Sequence, residues 1–102
     1  MSYRLRATAE FWSDFSAAAE YIARELKNPA AAERLLTELE KQAETLTEFP
    51  KAVMPWASPP ETDTDYYALR VRNYLAFYVV LDDVVELRRF LYGRADLRVR
   101  VP

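Results

Sequence analysis

The 102 residues are 51% apolar and 29% charged with a net charge of −2, which is read as one folded domain spanning 1–102 and excludes a disordered chain. Cysteine and histidine are both absent, removing disulfide frameworks, Ser-His and Cys-His nucleophile pairs, a histidine general base, and zinc sites with nitrogen or sulfur ligands. No apolar run approaches the ~18 residues of a membrane helix, no signal peptide is visible, and a single glycine leaves no phosphate-cradling loop.

Residues 2–7 alternate, with Tyr3, Leu5 and Ala7 on one side and Arg4 and Arg6 on the other, so a short strand is expected. Thr8 can cap a following helix, with Glu10 favourably placed in its first turn. Trp12, Phe15, Ala19, Ile22 and Leu26 recur at helical spacing and predict an inward stripe on a helix over about 9–27. Asn28-Pro29 is a break and a restart, because Asn suits the cap and Pro the first helical residue. The second helix is expected to run to about Glu48, with Leu35, Leu39, Ala43 and Leu46 inward and Ala32 and Leu36 flanking. So short a connection predicts an antiparallel helix hairpin. Phe49-Pro50 ends it, and residues 50–65, which hold Pro50, Pro55, Pro59 and Pro60, read as an irregular connection with Met54 and Trp56 inside it, Trp56 plugging the core edge.

Three β-prone runs follow, parted by Arg72-Asn73 and Asp82-Asp83 and closed by Gly93. This is the pattern of an antiparallel meander with tight turns. Gly93 is expected to supply a positive φ. Strict alternation in the last run puts Val85, Leu87, Arg89 and Leu91 on one face, and Val84, Glu86, Arg88, Phe90 and Tyr92 on the other. Arg89 would then sit among aliphatic side chains, so it is expected to be paired, or to lie near the sheet edge. Residues 97–102 alternate again and read as either a short edge strand or a loose tail. The fold class is therefore α+β: an N-terminal strand and a two-helix hairpin packed on a β-meander, in the order β-α-α-β-β-β.

Residues 1–65 carry seven Lys/Arg against twelve Asp/Glu, whereas residues 66–102 carry seven Arg against four. Arginine suits planar, bidentate contact with carboxylate or phosphate. The imbalance reads either as ordinary solvated surface or as a basic face for an acidic partner or nucleic acid.

The order of elements and a series of local pieces resemble the RelE/ParE superfamily of small bacterial toxins from type II toxin–antitoxin modules. The pieces are Asp14-Phe15, Tyr21-Ile22, Asn28-Pro29, Leu35-Leu36, Phe49-Pro50, Leu69-Arg70-Val71, Asn73-Tyr74, Phe77-Tyr78, and the ending Arg89-Phe90-Leu91-Tyr92-Gly93-Arg94 with Asp96. The resemblance implies a compact cytoplasmic toxin, of the kind associated with plasmid stabilization, that forms a hetero-oligomer with a cognate antitoxin and needs no metal or cofactor. RelE-like members cut mRNA on the ribosome, whereas ParE-like members act on DNA gyrase. RelE-like members commonly carry Arg after the tyrosine that opens the middle strand; here Leu75 follows Tyr74. The basic pair after the glycine is reduced to Arg94-Ala95, and no tyrosine follows Gly93. The Tyr-Gly-Arg-x-Asp ending is the more ParE-like. The resemblance therefore implies a gyrase-binding inhibitor with no catalytic residues, whose target contacts would be Arg89, Arg94 and Arg98. The alternative is a ribosome-dependent mRNA endonuclease using Arg94 and Tyr92, and a third reading is a non-toxic member kept for antitoxin binding. In all three, the uncovered sheet face and the groove beside the helices are expected to stay partly apolar for an antitoxin strand or helix.

Overall fold

The computed structural model describes residues 2–51, 55–56 and 65–93. The chain runs through β1 (Arg4–Ala7), α1 (Ala9–Glu20), a π-helical turn (Tyr21–Glu25), α2 (Pro29–Leu46), β2 (Pro55–Trp56), β3 (Tyr66–Val71), β4 (Tyr74–Leu81) and β5 (Val84–Tyr92). The strands form one sheet in the order β1-β5-β4-β3-β2. β3, β4 and β5 are the expected antiparallel meander, and β1 joins it parallel to β5. The α+β order read from the sequence is the order observed.

The first helix is fastened to β5 before it begins. The Thr8 N–H donates to the Leu87 carbonyl at 2.9 Å. The Thr8 hydroxyl donates to the Arg88 carbonyl and accepts from the Phe11 N–H, both at 3.1 Å. One residue thus caps α1 and pins it to the strand. With the start fixed this way, Phe11 and Phe15 turn inward and meet the Phe90 ring at centroid distances of 5.7 and 5.2 Å. The expected stripe is corrected at both ends. Trp12 is displaced by Phe11 and stays 48% exposed. Leu26 is 57% exposed, because the π turn intervenes. There the Leu26 N–H reaches the Tyr21 carbonyl five residues back, at 3.2 Å. That wider turn rotates everything after it away from the helical stripe.

Lys27 takes a positive φ of 51°, and Asn28 then caps α2 by accepting from the Ala31 N–H at 3.1 Å. Leu35, Leu39, Ala43 and Leu46 are all buried, as their spacing demands, while Leu36 stays exposed. Beyond the helix, the Tyr78 hydroxyl donates to the Pro50 carbonyl and ties the chain to the sheet. Burial, with Tyr67 nearby, raises the Tyr78 pKa well above the usual tyrosine range. A buried hydroxyl so engaged leaves no orphan carbonyl.

Three further expectations are corrected by the sheet. The connection after Pro50 contains a short strand, because Pro55 and Trp56 pair with Tyr67 and Tyr66; Met54 lies outside the described residues, as does the side chain of Trp56. Alternation along β5 is broken by a bulge. Tyr78 faces Leu87 and Phe77 faces Arg89, so Arg88 is the extra residue. A bulge shifts the parity of everything beyond it. Val85, Leu87 and Phe90 therefore share the helix-side core, while Leu91 joins the opposite face. Gly93 has no positive φ. Its N–H donates to the Asn73 carbonyl at 2.8 Å, and a β-carbon would stand 3.1 Å from that same oxygen. Close backbone approach, not backbone handedness, is what calls for glycine there. The positive φ values fall instead on Arg72 at 56° and Asp82 at 53°, each the first residue of a two-residue hairpin turn.

Candidate functional site

β1 pairs with β5 only over Val84–Leu87. Beyond that point the same edge of β5 faces α1. Asp14 satisfies it, accepting from the Phe90 N–H at 3.0 Å and from the Arg89 guanidinium at 2.7 and 3.1 Å. A carboxylate that receives a bidentate arginine and a backbone N–H is a strong, oriented contact. The hydrogen bond to Asp14 raises the Arg89 pKa further, against the opposing effect of burial. Arg89, a candidate target contact, is thus paired at the sheet edge. Reading the sequence left its partner unidentified. The available signal was position: Asp14 lies three residues after Phe11 and beside Phe15, on the face that meets β5.

On the other side of the bulge, Glu86 joins two cations. It accepts from Arg6 and from Arg88, each at 2.8 Å. Arg88 also donates to the Tyr66 hydroxyl at 3.1 Å, with its guanidinium 5.8 Å from that ring centroid. Burial works to raise the Glu86 pKa, but the hydrogen bonds and charges of Arg88 and Arg6 outweigh it and hold the carboxyl below its usual range. A carboxylate held down in this way is a poor proton acceptor near neutral pH. Its contribution to stability is present above the unfolded-state value and is lost as pH falls through the lower folded value. Urea midpoints of wild type and Glu86→Gln should therefore differ at pH 7. The difference should shrink as pH falls below the ordinary glutamate range and vanish once the folded-state carboxyl is itself protonated and resembles the amide. A gap that stayed constant across that range would show that the ion pairs contribute nothing.

Leu75 lies on the sheet face away from the helices. It is 8% exposed and packs in a buried cluster with Tyr66, Phe77, Val79 and Leu91. That face was expected to stay partly apolar; among the described residues the cluster around Leu75 is buried, while Leu81 at the end of the strand is exposed. Tyr92 points to the opposite side, where its ring meets Tyr74 edge-on at 5.5 Å. Arg94 and Arg98 lie outside the described residues, as do Arg100 and the alternating tail.

Two grooves flank the helix hairpin. One, of about 320 Å³, runs between β1 and the helices; Leu5, Trp12, Leu39 and Ala43 line it, with Glu40 and Glu44 on its rim. The other is larger, about 630 Å³, and opens at the far end of the hairpin. The π turn contributes Tyr21 and Leu26, α2 contributes Arg34, the β3–β4 turn contributes Arg72 and Asn73, and the strands contribute Tyr74 and Tyr92. No carboxylate lines this cleft among the described residues. The Tyr74 pKa is raised, first by burial and then by the phenols of Tyr92 and Tyr21. No helix among the described residues is long and apolar enough to cross a membrane.

The family model described as the ParE toxin of the type II toxin–antitoxin system parDE matches residues 5–97. Among solved structures, the chromosomal ParDE TA system from P. aeruginosa is similar, with a TM-score of 0.68 and 16% identity over 89% of this chain and 96% of that one. The archaeal RelE-RelB complex from Pyrococcus horikoshii is similar with a TM-score of 0.52 and 20% identity, over 93% of this chain and 100% of that one. No curated protein matches the chain.

Proposed function

Because the chain belongs to the ParE toxin family of type II toxin–antitoxin systems, we propose that it is a cytoplasmic toxin that binds and poisons DNA gyrase. A cognate antitoxin holds it in check as a hetero-oligomer. The observation that carries the choice of target is Leu75, buried in an apolar cluster with Phe77, Val79 and Leu91. Cleaving RNA needs a cation where phosphate charge develops, and an acid–base pair beside the 2′-hydroxyl. An aliphatic side chain at that place on the sheet can supply neither. Histidine is absent from the chain, and Glu86 is tied to two arginines with its pKa lowered. An inhibitor acting by surface contact needs none of these groups. In this reading Arg89, Arg94 and Arg98 contribute target contacts. Arg89 also holds Asp14, so its replacement has to be judged beside a stability measurement.

Inducing this chain alone in a bacterium and pulse-labelling DNA and protein synthesis tests the reading. DNA synthesis should fall first, before translation responds, if a topoisomerase is the target. An early fall in protein synthesis would replace the gyrase reading with the ribosomal one. Unimpaired growth would mark a family member kept for antitoxin binding.

A further inference from the structure

We infer that the cleft between the π turn and the β3–β4 turn seats an acidic, apolar peptide segment of the antitoxin, whose carboxylate meets Arg34 and Arg72 while a neighbouring apolar side chain beds against Tyr21, Leu26 and Tyr92. The inference rests on the antitoxin partnership proposed above, and adds where on this chain the partner is held and by what chemistry.

Charge selects the occupant. Two guanidiniums, an amide and three phenols converge on the cleft, with no carboxylate among the described residues that line it. Neither Arg34 nor Arg72 forms an ion pair among the described residues, whereas Arg4, Arg6, Arg24, Arg88 and Arg89 all do. Two guanidiniums with no carboxylate beside them in the cleft are complementary to an anion. The same walls are apolar where they meet solvent: Tyr21 is 53% and Tyr92 43% exposed. Large exposed aromatic groups beside unpaired arginines are what a buried contact uses as anchors.

The other groove has the opposite character. Glu40 and Glu44 line it, and Arg6, which lines it too, is already paired with Glu86, so that groove would repel an acidic segment and the two grooves are not interchangeable. Nucleic acid suits the cleft less well. Polyanions need a track of cations, whereas two unpaired arginines line this cleft and α2 beside it carries Glu33, Glu38, Glu40 and Glu44.

The experiment is the affinity of the full-length antitoxin encoded beside this chain, measured by calorimetry for wild type, Arg34→Glu/Arg72→Glu and Trp12→Ser. All three changes are on exposed side chains, and circular dichroism confirms the fold of each variant. The double reversal should weaken binding by about 100-fold, while Trp12→Ser, in the other groove, should change it less than about threefold. Wild-type binding that the double reversal leaves intact would overturn the cleft and leave the antitoxin partnership standing. No binding by wild type would overturn both. Two further controls name the other occupants. If the oligonucleotide dT12 binds wild type but not the double variant, while the antitoxin binds both, the cleft is a nucleic-acid seat and the inference falls. It falls equally if the wild type alone is a dimer and the double variant a monomer with undiminished antitoxin affinity.

Discussion

Phe90→Ala is expected to destabilise the protein by about 3–5 kcal/mol, the range for removing a buried aromatic ring from a packed core. Phe90 is 2% exposed and is the ring on which the two layers meet. Phe11 and Phe15 approach it from α1 at 5.7 and 5.2 Å, and Tyr74 stacks on it from β4 at 5.0 Å with planes 10° apart. No single neighbour can move into the space, because Phe11 and Phe15 are held by α1 and Tyr74 by β4. Phe90→Leu keeps apolar volume but loses the ring contacts, and should be affected by about half as much. Urea unfolding measures both. A loss under about 1 kcal/mol for the alanine variant would mean that the seam between α1 and the sheet repacks freely.

Asp14→Ala is the second large effect, at about 2–4 kcal/mol. It removes the acceptor for the Phe90 N–H and takes a bidentate carboxylate from the Arg89 guanidinium, with both charged side chains mostly withdrawn from solvent. Removing Asp14 is more damaging than the ion pair's net worth, because the part-buried Phe90 N–H loses its acceptor as well. Arg89→Ala should therefore be milder, as Asp14 still accepts from Phe90. Asp14→Asn should fall between them, keeping an acceptor oxygen while giving up the charge. Equal losses for Asp14→Ala and Arg89→Ala would show that the contact to the Phe90 N–H adds nothing to the ion pair. The ordering matters for function as well. A loss of toxicity in Arg89→Ala can be assigned to the target surface only after the Asp14 contribution has been subtracted.

The local plan of the chain was written in its residues. Thr8 and Asn28 cap the two helices, Leu35 through Leu46 bury one stripe, and Arg72-Asn73 and Asp82-Asp83 turn the meander. These features depend on neighbours within a few positions, so spacing alone reveals them. Leu75 stood out through the resemblance and not through spacing, as an aliphatic residue where RelE-like members commonly carry an arginine. What spacing could not reveal depends on contacts between distant parts. Thr8 bonds to the β5 backbone and sets the rotation of α1, which is why Phe11 is buried and Trp12 is not. The bulge at Arg88 reverses the end of β5 and carries Phe90 to the helix side, since one unpaired residue is enough to exchange the two faces of a strand. Gly93 answers to the Asn73 carbonyl across the hairpin, not to its own backbone angle. The pairing of Arg89 with Asp14 and the gathering of Arg34, Arg72, Tyr21 and Tyr92 around one cleft are of the same kind. Sequence patterning determined which elements form and which residues each can bury; only the tertiary structure decided their rotation and register, because those are set by hydrogen bonds and ring contacts between segments far apart in the chain.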